Sequence, residues 1–200
     1  MRPLDELEQP TMDHIQVFTL SGGEFSSIDW MDALLDYAGP CRAVIATWTA
    51  ASADMERVHD WLGTARLTSA EWIVDRSFPN RQPEICAAFR EKFGDDSIRV
   101  FASHAKFSLL SNDDGWKIVA LTSANLNQNK RVEFFHAADD PDLFDQFEAM
   151  VRDVFAAQAP GEGFETDAGK ARPNKSLKKL ALVDRAAREG VGVLSMLPLK

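Results

Sequence analysis

The residues best equipped for chemistry in this 200-residue chain lie between His104 and Glu133. His104 and Lys106 are two apart in the extended stretch 104–111, HAKFSLLS, so a strand there projects both from one face. Asn112-Asp113-Asp114-Gly115 makes a hairpin turn, and WKIVALTS (116–123) returns into Thr122-Ser123-Ala124-Asn125. Ser123 and Asn125 share a face and lie beside the first pair. Glu133 opens the next strand, RVEFFHA (131–137). One surface can thus hold an imidazole, an ammonium, a hydroxyl, a carboxamide and a carboxylate. Lys106 and the amide of Asn125 are donors suited to the non-bridging oxygens of a phosphate, and the lysine charge favours a developing phosphorane. His104 can serve as nucleophile or general acid–base near neutral pH. A carboxylate such as Glu133 fixes its tautomer. No cluster of Asp, His or Cys has metal-ligand spacing, so the chemistry expected is metal-free phosphoryl transfer without a cofactor.

The surrounding elements must hold that surface in place. HIQVFTL (14–20) alternates and ends at Ser21-Gly22-Gly23, as a strand entering a turn does. Ser26 and Asp29 form a capping box for a helix carrying Met31, Leu34, Leu35 and Ala38 on one face, which Gly39-Pro40 stops. CRAVIATWT (41–49) reads as a buried strand. Ser52 opens a helix with Met55, Val58, Trp61, Leu62 and Ala65 at helical spacing. EWIVDRS (71–77) is a short strand, 83–93 a third helix, and SIRVFAS (97–103) a further strand. Asp140 caps and Pro141 starts a long helix with Phe144, Phe147, Val151, Val154 and Phe155 inward. Strands alternating with helices, followed by a hairpin and another strand, predict an α/β fold whose mixed sheet is covered by helices on both faces. The expected organisation is a domain over 1–157, a Gly-, Pro- and charge-rich linker over 158–175, and a basic tail over 176–200.

Composition supports a globular chain: 45% hydrophobic residues, with 13 Phe and 5 Trp, are enough for a sizeable core. The two cysteines, Cys41 and Cys86, read as buried apolar residues in a reducing compartment. The N-terminus lacks an apolar signal region and no run is long enough to cross a bilayer, so a cytoplasmic protein without a membrane partner is expected. Charge is uneven. The stretch Lys170–Lys200 carries 8 basic and 2 acidic residues, a net of +6, which leaves −15 of the overall −9 on residues 1–169. An acidic body repels polyanions at long range, so nucleic acid needs a local basic site or the tail. Lys175, Lys178, Lys179, Arg185 and Arg188 are the tail residues suited to DNA backbone.

His104-Ala105-Lys106, then Thr122-Ser123-Ala124-Asn125, then Glu133, resembles the HxK…GSxN signature of the phospholipase D superfamily. The alternating strands and helices upstream resemble one half of that fold, and the likeness covers about residues 12–156. The resemblance implies that His104 attacks phosphorus, or protonates the leaving oxygen, through a phosphohistidine intermediate. Lys106 and Asn125 would hold the phosphate, Ser123 would support the site, and Glu133 would orient the imidazole. Two departures stand out: the family's aspartate, five residues past the lysine, is Ser111, and the glycine before the serine is Thr122. The signature occurs once and the family's reaction uses two histidines, so a homodimer with a shared site is implied. Small single-motif members are commonly endonucleases, whereas lipid-cleaving members are more than twice as long. The resemblance therefore implies a homodimeric, metal-independent nuclease; DNA is favoured over RNA as its partner, though the sequence leaves both open. The alternatives are an inactive nucleic-acid-binding or assembly protein that keeps the fold, and a phospholipid phosphodiesterase.

Overall fold

A computed structural model describes residues 15–127 and 130–164. The expected basic tail, including Lys175, Lys178, Lys179, Arg185 and Arg188, lies outside the described residues. In chain order the elements are β1 (Gln16–Ser21), α1 (Ser27–Ala38), β2 (Cys41–Thr47), α2 (Ser52–Gly63), β3 (Leu67–Asp75), α3 (Phe78–Arg81), α4 (Pro83–Phe93), β4 (Ile98–Phe101), β5 (Phe107–Ser111), β6 (Lys117–Thr122), β7 (Glu133–Asp139) and α5 (Pro141–Ala157). The strands form one mixed sheet of order β1-β7-β6-β5-β2-β3-β4. β2, β3 and β4 run parallel. The remaining pairs are antiparallel.

Local sequence explains most boundaries. The Ser26 side chain accepts from Asp29 N while Asp29 accepts from Ser26 N, closing the expected box at the start of α1. Gly39, at φ 80°, ends that helix in a conformation that costs a side-chain-bearing residue strain. Asp140 accepts from Leu143 N, and Pro141 opens α5. The turn between β5 and β6 closes through Gly115 N to Asn112 O, with Asn112 Nδ2 donating to Ala38 O. The second helix starts at Ser52 as expected, and its cap, Ala51, makes no side-chain bond.

Two layers flank the sheet, as the patterning predicts. One holds α1, α2 and α4, where Trp30, Met31, Met55, Trp72 and Phe89 are sealed in a single core. The other is α5, which sets Phe144, Val151 and Val154 on Val44, Ile73, Leu109 and Val119. Fully burying each such side chain contributes about 1.5–3 kcal/mol. The stretch expected as a linker begins packed: Gln158 is buried, donates to Val100 O at 2.7 Å and accepts from Val100 N at 3.0 Å. Phe164 joins the larger core. Among the described residues no helix is long and apolar enough to cross a membrane.

The topology decides where a site can form. Ser21 pairs with Glu133, Ala46 with Phe107, Phe107 with Leu121, and Thr122 with Phe135. The ends of β1, β2, β3, β4 and β6 and the starts of β5 and β7 therefore meet at one end of the sheet.

Candidate active site

Every residue singled out by spacing belongs to that end. One expectation changes: His104 and Lys106 do not lie within a strand, because β5 starts at Phe107. The partner strand β2 ends at Thr47, so the chain beyond Phe107 has no strand to pair with on that side. It is held by a local scaffold instead. Asp75, at the end of β3, accepts from Ser103 N at 3.2 Å, and Ser103 Oγ accepts from Ala105 N at 3.1 Å. Thr122 N donates to Lys106 O, which prolongs the hairpin by one rung.

Within this loop His104 is exposed and Lys106 half-buried. Lys106 Nζ lies 3.1 Å from His104 Nδ1 and donates to His104 O at 2.9 Å. Burial pushes the Lys106 amine below its ordinary pKa, while the Glu133 carboxylate pulls it back up. Glu133 thus lies close enough to act on the lysine electrostatically. Its direct partner is Ser123, whose hydroxyl donates to Glu133 Oε2 and accepts from Phe134 N at 3.1 Å. The expected contact between Glu133 and the imidazole is not formed here. The Nδ1 nitrogen faces Lys106, which leaves Nε2 as the ring nitrogen directed elsewhere.

Asn125 is positioned through its backbone. Ser27 Oγ, in the first turn of α1, donates to Asn125 O at 3.0 Å, and Leu126 N donates to Thr47 Oγ1 at 3.3 Å. Asn125 Oδ1 is buried without a hydrogen-bond partner, so its carboxamide is not consumed by the fold. Of the two departures from the signature, one shapes the site and the other lies away from it. Thr122 Oγ1 donates to Phe134 O at 2.8 Å and accepts from Ala124 N at 2.9 Å, shaping the TSAN turn. Ser111 sits at the far end of β5, about 17 Å from Lys106 at ordinary strand rise, so it does not touch the site.

Two neighbours carried no sequence signal. The Trp48 ring lies 5.4 Å from the His104 ring, centroid to centroid. The Arg81 guanidinium carbon lies 3.6 Å over the same indole. Among the described residues, no group of three or more His, Cys, Asp and Glu is placed to hold a metal ion.

Solved structures share this architecture. NucT from Helicobacter pylori superposes with a TM-score of 0.54 at 13% identity, over 72% of this chain and 97% of that one. Nuc from Salmonella typhimurium, a phospholipase D family member, gives 0.53 at 15% identity, over 72% and 95%. The fold is phospholipase D-like. Phosphatidylserine synthase from Haemophilus influenzae Rd KW20 gives 0.51 at 15% identity, over 88% of this chain but 46% of that one. No family model and no curated protein matches the sequence. The phospholipase D-like chain therefore spans nearly the whole of NucT and Nuc and under half of the synthase.

Proposed function

We propose that the protein is a metal-independent phosphodiesterase that cleaves nucleic acid as a homodimer. The observation carrying this reading is the meeting of His104, Lys106, Ser123, Asn125 and Glu133 at one end of a phospholipase D-like sheet. In the proposed reaction Nε2 of His104 attacks phosphorus, a P–N bond forms, and the P–O bond to the leaving group breaks. The leaving oxygen takes a proton from the partner copy's imidazole. Water then attacks phosphorus and gives its proton back to that imidazole as the P–N bond breaks. Lys106 and Asn125 hold the non-bridging oxygens. Nucleophilic Nε2 requires the ring proton on Nδ1, so Lys106 leaves Nδ1 for the phosphate and Glu133 takes its place as acceptor.

Three features support nucleic acid and pairing. Arg76, Arg81, Lys130 and Arg131 are exposed at the same end of an otherwise acidic body, and none forms an ion pair among the described residues. A polyanion can be drawn to such a patch despite the net charge. That 72% of the chain spans nearly the whole of NucT and Nuc fits a single-motif chain that completes its site with a second copy. Finally, Val132 and Phe134, on either side of Glu133, are 75% and 39% exposed, and on the neighbouring edge strand Phe18 and Leu20 are 67% and 61% exposed. An uncovered apolar strip beside the site suits a subunit contact.

The test is cleavage of plasmid DNA in excess EDTA, alongside headgroup release from phospholipid vesicles. Nicking without release supports the proposal. Binding without cutting identifies an inactive fold-keeper, and headgroup release alone identifies a lipid enzyme.

A further inference from the structure

We infer that Arg81, laid on Trp48, forms a second phosphate subsite that grips a diester flanking the one His104 attacks; the inference rests on the phosphodiesterase reading. Arg81 and His104 both pack on one indole, so they are neighbours across a single aromatic ring. The arginine is fixed rather than loose. Its Nε donates to Ser77 Oγ at 2.9 Å and its Nη2 to Trp48 O at 2.8 Å. Ser77 is itself anchored on Asp75, the carboxylate that also accepts from Ser103 N in the loop bearing His104. One carboxylate thus supports both the imidazole loop and the arginine.

The arginine is charged, exposed and not paired with any carboxylate among the described residues. Guanidinium is always protonated and carries five N–H donors in a plane. Two of these are used by the fold, and the others remain for an oxyanion. A guanidinium already stacked and bonded loses little further freedom when it binds. The ligand class is a flanking phosphodiester of a polynucleotide strand. A small diester with one phosphorus cannot occupy both positions.

Binding of fluorescent oligothymidylate across a salt series tests the subsite directly, with wild type, Arg81→Gln and Arg81→Lys compared. One lost phosphate contact on a single strand lowers the slope of log affinity against log salt by about 0.7. We expect that fall for Arg81→Gln, with KM for oligothymidylate rising roughly tenfold. Arg81→Lys keeps the charge and should restore the slope. An unchanged slope in Arg81→Gln overturns the subsite, and a lowered melting temperature with that unchanged slope makes Arg81 only a brace between loops. Cleavage by wild type is a separate readout. If wild type cuts nothing yet Arg81→Gln lowers the slope, the subsite stands and the reaction falls. If wild type cuts and the slope is unmoved, the reverse holds.

Discussion

Asp54 shows how far a residue's surroundings depart from its place in the sequence. In the first turn of α2 an acidic side chain ordinarily faces solvent and favours the helix dipole. Here it is buried, one carboxylate oxygen has no partner, and burial raises its pKa despite the opposing pull of Arg57. A carboxyl with a raised folded pKa contributes stability below the unfolded value, and that contribution is lost as pH rises through the folded value. Asp54→Asn should therefore gain on wild type as pH rises from about 4 to about 8, measured by urea denaturation; a constant difference across that range contradicts this. Ser123 is the opposite case, a small hydroxyl joining Glu133 to the backbone of Phe134. Ser123→Ala should cost about 1 kcal/mol in stability and lower kcat about tenfold, because Glu133 loses its tether.

Elements defined by local signals were legible in the sequence, and elements defined by distant partners were not. The capping box of α1, the Asn112–Gly115 turn and the Asp140-Pro141 start of α5 depend on neighbours along the chain, and all appear as read. The first four residues of β3, Leu67–Ala70, were hidden because their polar-apolar mixture forms a strand only by pairing with β2. The expected strand through His104 and Lys106 had the right pattern but lacks a partner beyond Phe107. The grouping of His104, Lys106, Ser123, Asn125 and Glu133 was legible because one hairpin carries most of it. Trp48 and Arg81 were not, since they meet only when the loops after β2 and β3 fold together. Gln158 was masked by its Gly- and Pro-rich surroundings, although its amide pairs with edge strand β4 as another strand's backbone does. Gln158→Ala leaves a backbone N–H and C=O of Val100 unpaired in a buried place. It should destabilise the fold by about 2 kcal/mol, read from the urea midpoint, and a loss below about 0.5 kcal/mol contradicts that role.

For the whole molecule, charge and apolar surface act at different ranges. Under the proposed nuclease reading, the acidic body slows approach of nucleic acid while the arginines and lysines at the site end attract it locally, so affinity should fall steeply with salt. In the proposed homodimer, the exposed strip of Phe18, Leu20, Val132 and Phe134 forms the subunit contact. Sedimentation should show a dimer, and Leu20→Glu should yield monomers with unchanged melting but no cleavage; active monomers contradict the shared site. In the proposed reaction His104 becomes covalently bound to phosphorus. The most direct measurement is intact-protein mass spectrometry after acid-free quenching of wild type and His104→Asn with a cleavable oligonucleotide in EDTA. The expected result is a phosphoryl-linked nucleotide adduct on His104 in wild type, absent in the variant, whose cleavage falls at least 10³-fold. Undiminished cleavage by His104→Asn, or an adduct on any other residue, contradicts it.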